Sequence, residues 1–176
     1  MLIQLPLSAL HTLTAETTAP YFGVTPADAY ISNDKIEQYV MDKDVTVIEA
    51  DLAKVEEIVA ENGYTAHAGI SLGYTISCYS NNEEERYSYY TLQGIGDVEE
   101  QYVLLDGRMP VEEDEVMLTD ITAEKMGIVV GDSITYVMAD GDRKYIVTGL
   151  YQSMMNLGEG AYLSQNAKPS NENLAG

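Results

Sequence analysis

The chain has no tryptophan, one phenylalanine, one cysteine and two histidines in 176 residues. Each scarcity excludes something. The lone thiol, Cys78, permits neither an intrachain disulfide nor a thiolate metal site, and inside a strand-like run it reads as a small hydrophobe. His11 falls in an irregular N-terminal segment and His67 in a strand-like one, and no cysteine pair completes a zinc spacing with either. No nucleophile elbow anchors a Ser/His/Asp triad. No catalytic, metal-binding or cofactor-binding residue is therefore expected, and no cofactor. Basic residues are also few: 9 Lys and Arg stand against 29 Asp and Glu, a net charge of −20. That field repels phosphate backbones, so nucleic acid is not an expected partner, and it disfavours an acidic membrane surface. A deficit of Lys and Arg suits a segment carried across a membrane. Long apolar runs are missing as well. Gln4, Pro6, Ser8 and His11 interrupt the leucines of the N-terminal segment, leaving nothing near the roughly 18–20 apolar residues of a span. It also lacks a signal peptide's basic n-region.

What is abundant is tyrosine, 14 residues, within a chain that is 45% apolar. Tyrosine favours half-buried sheet surfaces, where the ring is covered and the hydroxyl stays wet. The periodicity predicts a strand over Ala27–Ser32, a helix capped by Asn33 or Asp34 through Ile36, Tyr39 and Val40, and a short β-branched strand at Val45–Ile48. Asp51 is expected to cap a helix to Glu61 that carries Leu52, Val55, Ile58 and Val59 on one side and stops at Asn62-Gly63. The period then becomes two. Tyr64–Ser71 and Tyr74–Ser80 read as strands broken near Gly73, and Arg86–Gly96 as a third, with Tyr87, Tyr89, Thr91 and Gln93 on one face and Tyr90, Leu92 and Gly94 on the other.

Downstream the punctuation is denser. Asp106-Gly107 reads as a turn, Glu115–Leu118 as a strand, and Thr119 or Asp120 as the cap of a two-turn helix ending at Gly127. Gly131-Asp132 is a further turn, and Ser133–Met138 pairs with Lys144–Leu150 around Asp140-Gly141. Beyond Ser164 no period remains. Glu83-Glu84-Glu85 and Glu112-Glu113-Asp114-Glu115 lack the spacing of a calcium loop and read as solvated loop charge. Acids after Gly94 and Gly96 argue against a phosphate-binding turn. The methionines Met117, Met126, Met138, Met154 and Met155 read as core filler.

From Leu105 onward these pieces fall in a familiar order. Gly107-Arg108-Met109-Pro110 matches a "G-R-x-P" turn, and Glu115–Thr119 an "E-hydrophobic-x-L-S/T" strand. Ala123–Gly127 matches "A-x-x-L-G" with Met126 for leucine, Gly131-Asp132 "G-D", and Tyr145–Gln152 a strand of the form "F/Y-x-V-x-G". Upstream, Gly23 with Ala27-Asp28 and Leu92–Gly94 fit as well. The order resembles the extracytoplasmic MacB-like periplasmic core domain of FtsX-type ABC transporter permeases, over residues 20–163.

The resemblance implies an α+β fold: a porter-like α/β subdomain at 20–100 and a small β-rich subdomain with one short helix and a return strand at 101–164. Residues 1–19 would be a stalk or the edge of a longer chain, and 165–176 a loose tail. It further implies a non-catalytic domain on the extracytoplasmic side of the cell membrane. Such a domain would bind a peptide, lipid or protein substrate, or an accessory protein. It would couple that motion to a cytoplasmic ATPase through a transmembrane part that this chain lacks. On that reading Tyr87, Tyr89, Tyr90 and Tyr102 are expected to offer a partner-contact surface. The alternative is a free-standing extracellular binding or adhesion module.

Overall fold

A computed structural model describes residues 18–22, 45–65, 68–80, 85–96, 102–138 and 141–167. The strand expected at 27–32, the helix expected at 33–40, His11 and His67 lie outside the described residues. Among the described residues two helices, α1 (Val45–Glu61) and α2 (Asp120–Met126), accompany seven strands. These are β1 (Gly69–Tyr79), β2 (Arg86–Gly96), β3 (Val103–Gly107), β4 (Glu115–Thr119), β5 (Ser133–Tyr136), β6 (Arg143–Gln152) and β7 (Ala161–Leu163). Single 3-10 turns occupy Ala19–Phe22 and Met155–Gly158.

The strands join in the order β3-β6-β4-β7-β2-β1-β5, and β5 pairs back onto β6. Six strands thus close into a barrel, which removes the exposed edges an open sheet would leave. β6 makes closure possible because it is long enough to take two partners on one side. Its first half pairs antiparallel with β5 and its second half with β3, while β4 runs parallel along its other side. β2 and β7 form the second parallel pair. β1 and β2 share one sheet with the strands that follow them.

Alternation decides what fills it. On β2, Tyr89, Thr91, Gln93 and Ile95 are buried inside, and Ser88, Tyr90 and Leu92 face outward. β1 pairs with β2 antiparallel from Gly69↔Gly96 to Tyr79↔Arg86, so Leu72, Ile76 and Cys78 share that interior. Val116, Leu118, Ile134, Tyr136, Val147 and Leu163 complete it at 1% exposure or less. Burial of each such side chain is worth about 1.5–3 kcal/mol. Ile48 and Leu52 of α1 pack on this core, as do Ala123, Met126 and Ile128 in and after α2.

Several expectations are corrected. Val45–Ile48 is the first turn of α1 rather than a strand, because Ile48 and Leu52, four residues apart, meet the core on one helical face. β1 runs unbroken through Gly73. A Cβ at Gly73 would lie 1.7 Å from the Tyr90 hydroxyl oxygen, so the glycine leaves room for the Tyr90 ring on the paired strand instead of breaking the strand. Asp106-Gly107 ends a strand rather than forming a free turn. Met154 and Met155 are exposed, unlike the core methionines Met117, Met126 and Met138. Thr119 caps α2 as expected: its hydroxyl accepts from Thr122 N, and Gly127 closes the helix at φ 64°.

Candidate functional site

The motif residues between Gly107 and Gly160 meet around β4 and β6, and each has a structural duty. Gly107 pairs with Gly149 in the β3–β6 ladder. A Cβ on Gly149 would sit 2.4 Å from the Arg108 carbonyl oxygen, and one on Gly107 2.2 Å from that of Thr148. Two glycines far apart in the chain therefore let two backbones touch. Arg108 grips Glu115 with both guanidinium arms, Nη1 to Oε2 at 2.7 Å and Nη2 to Oε1 at 2.5 Å. Oε2 also accepts from Val111 N at 2.8 Å and Glu112 N at 3.1 Å, so Glu115 tethers the whole 108–115 turn. Those bonds, the Arg108 guanidinium first, hold the Glu115 carboxyl down at about 2 against an ordinary 4.5. Glu115 is thus a buried clamp, not the solvated loop charge its neighbours suggested.

A second knot joins β4, α2 and β7. Thr119 N donates to Gly160 O at 3.0 Å. Gly160 N donates to the hydroxyls of Thr122 at 2.9 Å and Thr119 at 3.2 Å. At the barrel end, Gln93 Nε2 donates to the carbonyls of Ala167 at 2.6 Å and Ser164 at 3.2 Å. Ser164 Oγ donates to Val111 O at 2.7 Å. The residues just past the return strand are therefore docked, with Ala167 buried.

The four tyrosines expected to form one surface are divided among three environments. Tyr89 is 6% exposed, inside the barrel. The Cys78 thiol donates to its hydroxyl at 3.3 Å, and that hydroxyl lies 3.4 Å from the Tyr136 hydroxyl. Tyr136 in turn meets Tyr145 edge-to-face with ring centroids 5.1 Å apart. Burial pushes the Cys78 thiol up to about 11 and the Tyr89 hydroxyl well above its usual value. Both stay protonated and inert at neutral pH, which suits a satisfied core and not a nucleophile. Tyr87, on the same face but near the strand's start, is half-buried and donates to Glu85 Oε2 at 2.6 Å, with Lys125 O a second acceptor at 3.3 Å.

Tyr90 and Tyr102 lie on the outer face. Tyr102 covers a small second cluster of Met117, Tyr151 and Tyr162, flanked by Leu92 and Met109. Its ring centroid lies 5.0 Å from that of Tyr151 and 5.1 Å from that of Tyr162. Aromatic pairs at such distances add about 0.5–1.5 kcal/mol beyond area. Tyr102 thus packs as a lid on the barrel wall.

Among the described residues no group of His, Cys, Asp and Glu is placed to hold a metal ion, and no helix is long and apolar enough to cross a membrane. A shallow open hollow of about 400 Å³ lies between α1 and the ends of β1 and β2, lined by Glu49, Leu52, Ala53, Glu56, Ala68 and Gly96. Glu56 already accepts from Ala68 N at 3.1 Å. What sequence reasoning missed is a turn at 153–159 that carries exposed apolar side chains. The one sequence signal there is the Met154-Met155 pair, which reads as core filler and is exposed instead.

No family model matches the chain, and no curated protein does. Among solved structures it is similar to the extracellular domain of the noncanonic ABC-type transporter YknZ from Gram-positive bacteria. The two are 14% identical with a TM-score of 0.44, over 56% of this chain and 54% of that one. The chain thus spans about half the length of the structure it matches.

Proposed function

We propose that this chain is an extracytoplasmic, non-catalytic domain of an ABC transporter permease of the FtsX type, with a MacB-like core. It binds a substrate or an accessory protein and passes the resulting motion to a cytoplasmic ATPase. The observation that carries the reading is the convergence of the motif residues. Gly107 with Gly149 and Thr119 with Gly160 are distant in sequence, Arg108 and Glu115 close one turn between them, and each pair fixes backbone beside β4 or β6. A sequence pattern devoted to such contacts specifies a stiff body. Stiffness is what a domain needs if it is to transmit movement between a ligand and a membrane stalk. The half-buried Tyr87, Tyr90 and Tyr102 are the contact residues of this reading. Tyr89, inside the core, is not one of them.

The test is the native coding region on both sides of these residues, followed by purification of its full product from membranes. Apolar stretches of roughly 20 residues on both flanks and co-purification of a nucleotide-hydrolysing subunit are expected. Polar sequence or stop codons on both sides would overturn the permease reading and leave an extracellular binding module.

A further inference from the structure

The turn joining β6 to β7 is built at odds with the economy of the rest. Leu157 is 93% exposed, and Met154, Met155 and Ile121 beside it are 58%, 39% and 38% exposed. Leu157 and Asn156 also adopt left-handed backbone, with φ of 59° and 48°. Asparagine tolerates that region, but a branched apolar side chain adopts it only at a cost. Glycine at 157 would serve the fold better, since the Leu157 side chain buries almost nothing. A strained residue that gains nothing from its own fold points to use elsewhere.

The turn is nevertheless firmly held. Met154 N donates to Tyr21 O at 2.8 Å, Met155 N to Ser153 Oγ at 3.1 Å, and Glu159 N to Asn156 O at 3.2 Å. Gly158 lies so close to α2 that a Cβ there would be 2.6 Å from Ile121 Cδ1. Lys125 of α2 pairs with Glu159, and Gly160 is knotted to Thr119 and Thr122. The side chain is therefore presented on a fixed mount, which lowers the ordering cost of binding.

We propose that Leu157, flanked by Met154, Met155 and Ile121, is a docking knob that seats in an apolar socket with a basic rim on a partner protein. Charge selects that occupant. Asp120 and Glu124 share α2 with Ile121, and Lys125, the cation of that helix, is engaged by Glu159. An acidic surround on a chain of net charge −20 repels anionic headgroups and equally repels a second copy. A protein surface carrying Lys and Arg around an apolar pocket is complementary in both respects. The inference goes beyond the transporter reading and holds equally for a free-standing module, so the two fail separately.

The probe is a synthetic amphipathic helical peptide of leucine and lysine, titrated into the 176-residue chain at about 50 and about 300 mM salt. Wild-type protein is expected to bind it, more weakly at the higher salt. L157G is expected to lower affinity about tenfold or more, while V129A, at another exposed turn, leaves it unchanged. The melting temperature of L157G should be no lower than that of wild type, because the substitution relieves left-handed strain. No binding, or equal binding by wild type and L157G, would overturn the knob. Leu157-dependent flotation with phosphatidylcholine vesicles would replace the protein partner with lipid. A Leu157-dependent dimer in sedimentation would replace it with a second copy.

Discussion

The stretch from β3 to β7 and the arm formed by α1, β1 and β2 contribute to one barrel, yet they are held in different ways. In the first, nearly every turn is fixed by an identifiable side chain or glycine: the Arg108–Glu115 clamp, the Thr119 cap, the left-handed Gly127, the Asp132 carboxylate accepting from Val129 N at 3.0 Å. In the second, order comes from pairing and burial. α1 touches the core through Ile48 and Leu52, while Val47, Val55 and Ile58 stay exposed. A helix joined at one corner adds little to the stability of the body it rests on. A strand set tied at both ends to a closed sheet carries most of it.

That contrast can be broken at its strongest point by Gly149→Ala. The new Cβ meets the Arg108 backbone at 2.4 Å, where no flexible side chain can give way. A loss of about 3 kcal/mol is expected in urea unfolding, enough to unfold a marginal domain. An unfolding midpoint like that of wild type would mean that β3 does not lie against β6 as described.

Glu115→Gln should cost less, about 1.5–3 kcal/mol at neutral pH, and it adds a pH signature. The folded Glu115 carboxyl titrates at about 2 rather than 4.5. Its stabilisation is therefore fully present above about pH 4.5 and is lost as pH falls toward 2. Urea midpoints of wild type and E115Q are expected to differ at pH 7 and to converge between pH 4.5 and 2. A difference independent of pH would show that the carboxylate charge is not what holds the 108–115 turn.

The smallest effect belongs to the other region. Ile58→Lys, at a site 51% exposed on the outer side of α1, should change stability by no more than about 0.5 kcal/mol in the same assay. A large loss there would sharpen the comparison against us, since it would require α1 to be covered on the side that now faces out.

Much of the β3–β7 stretch was legible before any coordinates, because its signals are local. A cap hydroxyl three residues before its N–H, a glycine at a left-handed stop and a Gly-Asp turn act within a few residues, so Thr119, Gly127 and Gly131-Asp132 could be placed from their neighbours alone. β2 was legible from strict alternation over Arg86–Gly96. Val45–Ile48 was not, because a β-branched quartet is equally a strand or the first turn of a helix until something packs on it. Gly73 was read as a strand break when its role depends on the ring of Tyr90 across the ladder.

The tyrosine surface was only partly legible. Alternation correctly separated Tyr87 and Tyr89 from Tyr90, but period two says which residues share a face and not which face is inside. Closure of the barrel made that choice: it buried Tyr89 beside Cys78 and Tyr136 and left Tyr90 outward. The sequence by itself settled the absence of an intrachain disulfide, the acidic field and the alternation of β2, since those follow from residue counts and spacing. Only the tertiary structure decided that Glu115 is a clamp, that Gly107 meets Gly149, and that Leu157 stands exposed on a strained turn. Gly107 and Gly149 come from distant parts of the chain, Leu157 holds a backbone angle that packing imposes, and Glu115, though its partners are local, is a clamp only because the turn folds back over it.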